Sequence, residues 1–355
     1  MTDGLPEGDR AGDAPHPRHT ARLIGQGPAE RAFLDAWNGG RPHHGWLLTG
    51  PRGVGKATLA WRIARFLLTD PPPHADSLDP EPGHPALPRI DALSEPALML
   101  LRRPWDEKTK RLRAEITVDE ARRLGPFFGL SASGRRVVIV DAADDLNRNA
   151  ANAILKLLEE PPVGATLLLI SHQPARLLPT IRSRCRVLRL GPLSPKEVAE
   201  AVAQAGGAET DPGLAELAQG SPGAALDLAE GGAETYAGLV SLFAHAPMDR
   251  GAARRLADSH AGRAASDRLP VTRDMLQRLL HRAARAAVAG PPPEAVPGEA
   301  ATLSRLAPNE DAARALAALA QDLSDRFAHA AAVNVDPAAI VWDQLAAIDG
   351  HARNV

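Results

Sequence analysis

Residues 43–68 read HHGWLLTGPRGVGKATLAWRIARFLL. The apolar run Trp46-Leu47-Leu48 is long enough for one buried strand, and Leu59, Ile63 and Leu67 recur at the spacing of one helix face. Between them stands Gly50-Pro51-Arg52-Gly53-Val54-Gly55-Lys56. Strand, G-x-x-x-x-G-K and helix, in that order, form a phosphate-binding loop in its expected context. Gly50, Gly53 and Gly55 let backbone N–H groups turn inward around a phosphate, and Lys56 adds a point charge. A complete loop then carries a Ser or Thr whose hydroxyl binds Mg²⁺, but here the residue is Ala57. Thr58 stands one position late, and a helix turns its hydroxyl about 100° away. The loop keeps its phosphate cradle and lacks its metal ligand.

Downstream, Val137-Val138-Ile139-Val140 is a fully apolar strand ending in Asp141, as a Walker B strand does. Ala150, Ile154, Leu157 and Leu158 follow at helical spacing until Pro161-Pro162 stops the helix. Thr166 to Ile170 predicts another buried strand, leading to Ser171. The block closes with LPTIRSRC, residues 178–185.

The run NAANAILKLLEEPP (149–162), the strand after it and TIRSRC (180–185) resemble the clamp-loader branch of AAA+ proteins in bacterial DNA polymerase III. The likeness covers roughly residues 20–230, and weakly the C-terminal part through Asn334-Val335-Asp336-Pro337. It implies a parallel-sheet α/β nucleotide-binding domain over 21–191, a small helical lid over 192–233 and an all-helical collar over 234–355. It implies ATP or ADP as ligand at Gly50, Gly53, Gly55, Lys56, Thr58, Asp141 and Ser171. It also implies that Arg184 reaches the nucleotide of a neighbouring subunit, where a fixed guanidinium makes paired bonds to phosphate oxygens. Working ATPases of the family carry a water-polarising Glu after the Walker B Asp and a phosphate-sensing Arg in the third lid helix. Those places hold Ala142 and Gly223.

The rest of the chain sets bounds. Its 355 residues suit two or three domains, and 44% hydrophobic with 24% charged residues is ordinary globular composition. A net charge of −2 gives no global attraction to nucleic acid, so DNA contact needs a local patch. The one cysteine, Cys185, excludes an internal disulfide framework and a Cys-based zinc site. No signal peptide or membrane-length apolar run is visible, and a cytoplasmic setting is expected.

Residues 1–20, rich in Gly, Pro, Asp and His, are expected to be disordered. Helical periodicity from Pro28 through Trp37 ends at Gly39-Gly40, and the Pro-rich stretch 71–96 reads as a surface loop. RRPWDEKTKRLR (102–113) carries six basic residues against two acidic ones. A solvated face is its simpler reading; contact of Lys108, Lys110, Arg111 and Arg113 with DNA or a partner is the other. Thr117 with Glu120 reads as a capping box and Ile116 as a staple. Ser194-Pro195-Lys196-Glu197 is a strong helix start, and short helices near 213–218 and after Gly223 follow. Beyond 234, helices are expected near 236–246, 252–260, 272–289, 312–333 and 337–348, with a loop from Gly290.

Two functional classes compete. Lys56 and Asp141 favour an ATP-hydrolysing motor, gamma/tau-like or another AAA+ ATPase. Ala57, Ala142 and Gly223 favour a subunit of a hetero-oligomeric loader that does not hydrolyse ATP. That subunit would work beside motor and delta-like subunits, with the sliding clamp and primed DNA, as part of the polymerase holoenzyme. Metal positioning and water activation contribute separately to phosphoryl transfer, so the second class leads.

Overall fold

The apolar run before the phosphate loop becomes an interior strand of a parallel sheet. The computed structural model describes all residues except 1–6, 11–13, 21, 41, 130–133, 208–211, 230 and 263–267, and the side chains of 331–332. The chain divides into two compact units, Met1–Glu209 with Gln219–Leu226, and Thr210–Ala218 with Asp227–Val355.

In chain order the first unit holds α1 (Gly27–Asn38), β1 (Gly45–Thr49), α2 (Lys56–Leu68), α3 (Ala86–Asp91) and β2 (Leu98–Arg102). The two-residue strands β3 (Trp105–Asp106) and β4 (Arg111–Leu112) make a hairpin, followed by α4 (Val118–Arg122) and α5 (Leu124–Gly129). Then come β5 (Arg136–Asp141), α6 (Arg148–Glu159), β6 (Ala165–Ser171), α7 (Pro179–Arg182), β7 (Arg186–Arg189) and α8 (Pro195–Gln204). The main sheet runs β2-β5-β6-β1-β7, every neighbouring pair parallel. Every residue of β1 and β5 is buried, which is why these strands are continuous apolar runs. Each such Val, Leu or Ile contributes about 1.5–3 kcal/mol by burial.

The five strands of the main sheet point the same way, so their C-terminal ends share one edge. Arg102 lies beside Asp141, and Thr49 lies between Ser171 and Arg189. In open α/β sheets ligands gather at this edge. The opposite, N-terminal edge carries the SRC segment: β7 starts at Arg186, next to Trp46.

Several expectations are corrected. Within 1–20, the described residues are packed rather than disordered, and 1–6 and 11–13 lie outside the described residues. Asp9 pairs with Arg102 and His16, and Glu7 with Arg18 and Arg102. The stretch 71–96 contains α3, with Leu78, Ala86 and Ile90 buried. Thr117 stands at the N-cap of α4, but its side chain makes no capping bond. Ile116 is buried and bridges to Leu146 instead. By contrast, Ser194 and Glu197 form the full capping box of α8.

The chain continues through α9 (Pro212–Ala218), α10 (Pro222–Ala229), α11 (Gly232–Leu242), α12 (Arg250–Asp258), α13 (Arg268–Ala289), α14 (Glu299–Leu306), α15 (Glu310–Ala332) and α16 (Pro337–Ala352). The sequence reading misses α14. The second unit is helical among its described residues, around buried Leu276, Leu279, Leu280, Leu303, Leu316, Leu345 and Ile348. No helix among the described residues is long and apolar enough to cross a membrane.

Candidate nucleotide-site remnant and arginine edge

At the C-terminal edge of β1 the backbone turns through Gly50, Gly53 and Gly55, with φ of 146°, 77° and 101°. Left-handed φ at 53 and 55 is the geometry that glycine permits and a phosphate loop requires. Lys56 begins α2 and is buried, but its ammonium is already engaged. Nζ donates to the carbonyls of Gly50 (2.7 Å) and Pro51 (2.5 Å). Burial lowers its pKa to about 8, against the opposing pull of Asp141 and Asp144.

The start of α10 closes on the same loop. The Gly223 N–H donates to the Gly53 carbonyl at 3.1 Å, and the Ser221 hydroxyl donates to the Arg52 carbonyl at 2.8 Å. A Cβ on Gly223 would lie 2.8 Å from the Gly53 Cα. The place where a sensing arginine was expected therefore admits no side chain without movement. From the other side, the buried Gln26 amide donates to the carbonyls of Val54 (3.1 Å) and Gly191 (2.8 Å).

Asp141 ends β5 as expected, but its carboxyl is buried. Desolvation, with Asp9 nearby, raises its pKa to about 7. The Ser171 hydroxyl at the end of β6 donates to Asp144 at 2.9 Å. Asp144 also accepts the N–H groups of His172 (2.6 Å) and Gln173 (3.0 Å). The His172 ring is held near pKa 4 by burial and by Lys56. Thr58 is half-buried in α2, one position past Ala57. These side chains do not fit a magnesium triphosphate: no hydroxyl stands at 57, no carboxylate at 142, and the lysine is spent on its own loop.

Arg184 stands at the other edge. Its Nη1 donates to the Thr180 carbonyl (3.1 Å) and the Ser183 hydroxyl (3.4 Å), and Nη2 pairs with Glu159 (2.9 Å). Its side chain is 37% exposed. Five-residue β1 separates this edge from the phosphate loop by roughly 15 Å. Cys185 beside it is half-buried, and desolvation pushes its thiol to about 12, so it is an inert packing group.

The basic segment is less open than its composition. Arg102 turns to Glu7 and Asp9, and Arg103 to Asp145. Lys110 pairs with Glu107 and Arg113 with Asp106, leaving Lys108 and Arg111 exposed at the hairpin tip. No group of metal-binding side chains occurs among the described residues.

Residues 25–194 match the family model described as DNA polymerase III, delta subunit. That segment, just under half of the chain, is similar to this family. A DNA polymerase III subunit delta' of Pseudomonas aeruginosa is 41% identical over 161 residues, 44% of this chain and 46% of that protein. The Escherichia coli subunit delta' is 34% identical over 211 residues, covering 58% and 60%. A DNA polymerase III gamma subunit-related protein of Thermotoga maritima overlays 90% of this chain and 100% of its own, at 18% identity and TM-score 0.40. The chain spans about half the length of the curated relatives it matches.

Within residues 25–194, sequence reasoning singled out the loop glycines, Lys56, Asp141 and Arg184. It missed Gln26, Asp144 and Glu159, and Ser221 just beyond the segment. The LEEPP motif contained Glu159, but only folding brings it to Arg184.

Proposed function

We propose that this chain is a delta-prime-type subunit of a clamp loader, silent as an ATPase and active through Arg184 on a neighbouring subunit's ATP. The position of Arg184 carries the reading. It lies exposed on the sheet edge opposite its own phosphate loop, out of reach of any phosphate held there. A guanidinium presented in this way can stabilise charge developing on a neighbour's γ-phosphate. Its own loop acts as structure: Lys56 and the start of α10 hold it closed on itself, and turnover is absent even if ATP or ADP binds. The relatives named delta' support the assembly role, with motor and delta-like subunits, the sliding clamp and primed DNA as partners. Lys108 and Arg111 at the hairpin tip are the groups available for DNA phosphate, with Lys110 and Arg113 released from their exposed pairs.

ATP turnover by the purified chain, alone and after adding a motor subunit, tests the reading. The chain alone stays at background while the mixture turns over. Robust turnover by the chain alone, abolished by Lys56→Ala, would make it a motor instead.

A further inference from the structure

Glu159 is the last residue of α6, where the helix already carries partial negative charge from its unpaired carbonyls. A carboxylate there is unfavourable unless a cation meets it. Arg184 does, at 2.9 Å. The two backbone segments are held close by a local device. The His44 ring lies 3.0 Å from the Leu158 carbonyl, fixing the end of α6 to the chain entering β1. Next to it, Gly45 leaves room that a side chain would take: its Cβ would lie 2.6 Å from Leu158 and 3.2 Å from the Arg184 carbonyl. Glu159 and Arg184 therefore approach each other on a fixed scaffold.

We propose that Glu159 is the positioning residue for Arg184, holding its guanidinium at the sheet edge with one face free for a phosphate. This rests on the reading of Arg184 given above. A guanidinium has five N–H donors. Thr180 and Ser183 take those of Nη1, and Glu159 takes one of Nη2. Nε and Nη2 form one edge of the guanidinium, which suits paired bonds to two phosphate oxygens. An unrestrained arginine loses much rotamer freedom on reaching a phosphate; one already held loses less. The pair is about 40% exposed on both sides, so its effect is modest.

The test is steady-state ATPase of the reconstituted loader at equal subunit incorporation, with wild type, Glu159→Ala, Glu159→Gln, Arg184→Ala and the double alanine variant. Glu159→Ala lowers kcat about two- to fivefold with little change in KM for ATP. Glu159→Gln, which keeps an accepting oxygen, regains most of the rate. The double variant matches Arg184→Ala alone. A wild-type rate for Glu159→Ala beside a slow Arg184→Ala overturns the positioning role and leaves the finger standing. So does a Glu159→Ala rate above wild type, which would make the carboxylate a latch. An equal Glu159→Ala loss in the Arg184→Ala background makes the effect independent of the arginine and also overturns it. A wild-type rate for Arg184→Ala removes the finger, and the positioning role with it.

Discussion

Asp141 is a residue whose chemistry departs far from its type. An ordinary carboxyl titrates near 3.8, and this one near 7, because burial penalises its anion. Between those values the folded chain holds a proton that the unfolded chain has released. Stability from this site is therefore present below pH 4 and declines as pH rises toward 7. Asp141→Asn removes the titration, so its melting temperature gains on wild type as pH rises across that window. Thermal melts at pH 4, 5.5 and 7 check this; a constant difference would contradict it. Gly223 offers a steric test at the same scale. Its Cα region lies on Gly53, so Gly223→Ala forces the phosphate loop and α10 apart. A loss of about 1–3 kcal/mol is expected in denaturant unfolding, as for overpacking elsewhere. An unchanged midpoint would show that the contact yields freely.

At the scale of elements, the β3–β4 hairpin and the α13–α14 connection carry opposite uses of charge. The hairpin shows exposed cations at its tip. Lys108→Glu with Arg111→Glu is expected to weaken DNA binding by the assembled loader and to flatten its salt dependence. An unchanged slope of log affinity against log salt returns the hairpin to a solvated face. In the second unit, Glu299 is fully buried and accepts from Tyr236 Oη, Arg282 Nε at 2.6 Å and Nη2 at 3.0 Å, and the Ala295 N–H. Arg282 also donates to the Pro293 carbonyl, so the Pro-rich turn after α13 is pinned to α14. Glu299→Ala leaves a buried guanidinium without its carboxylate and is expected to cost about 3–5 kcal/mol, read from chemical denaturation. A cost under 1 kcal/mol would mean that water replaces the carboxylate.

For the whole molecule, legibility followed sequence distance. β1, β5 and β6 stood out because strands covered on both faces are unbroken apolar runs, and α8 because Ser194 and Glu197 sit within one turn. Contacts across long separations left no local pattern. Asp9 meets Arg102, Ser221 meets Arg52 and Gln26 meets Gly191 only after folding. The same limit hid the state of the phosphate loop: G-x-x-x-x-G-K specifies its backbone, but not that Lys56 turns onto Gly50 and Pro51. α14 escaped because eight residues beside prolines give little periodicity. The missing groups at 57, 142 and 223 were visible at once, and the structure added the close contact that explains Gly223.

If this chain, with its silent phosphate loop, completes a neighbour's site as proposed, turnover of the whole loader depends on Arg184. An arginine supplied in trans is worth about 10³–10⁵ in phosphoryl transfer, less in a ring where only one of several sites loses it. Arg184→Lys should recover little, since a point charge cannot make the paired bonds. The decisive measurement is the DNA- and clamp-stimulated ATPase of the reconstituted loader with wild-type or Arg184→Ala chain, at equal incorporation. A clearly lower rate with intact assembly is the expected result; equal rates would leave the chain a scaffold and contradict the account.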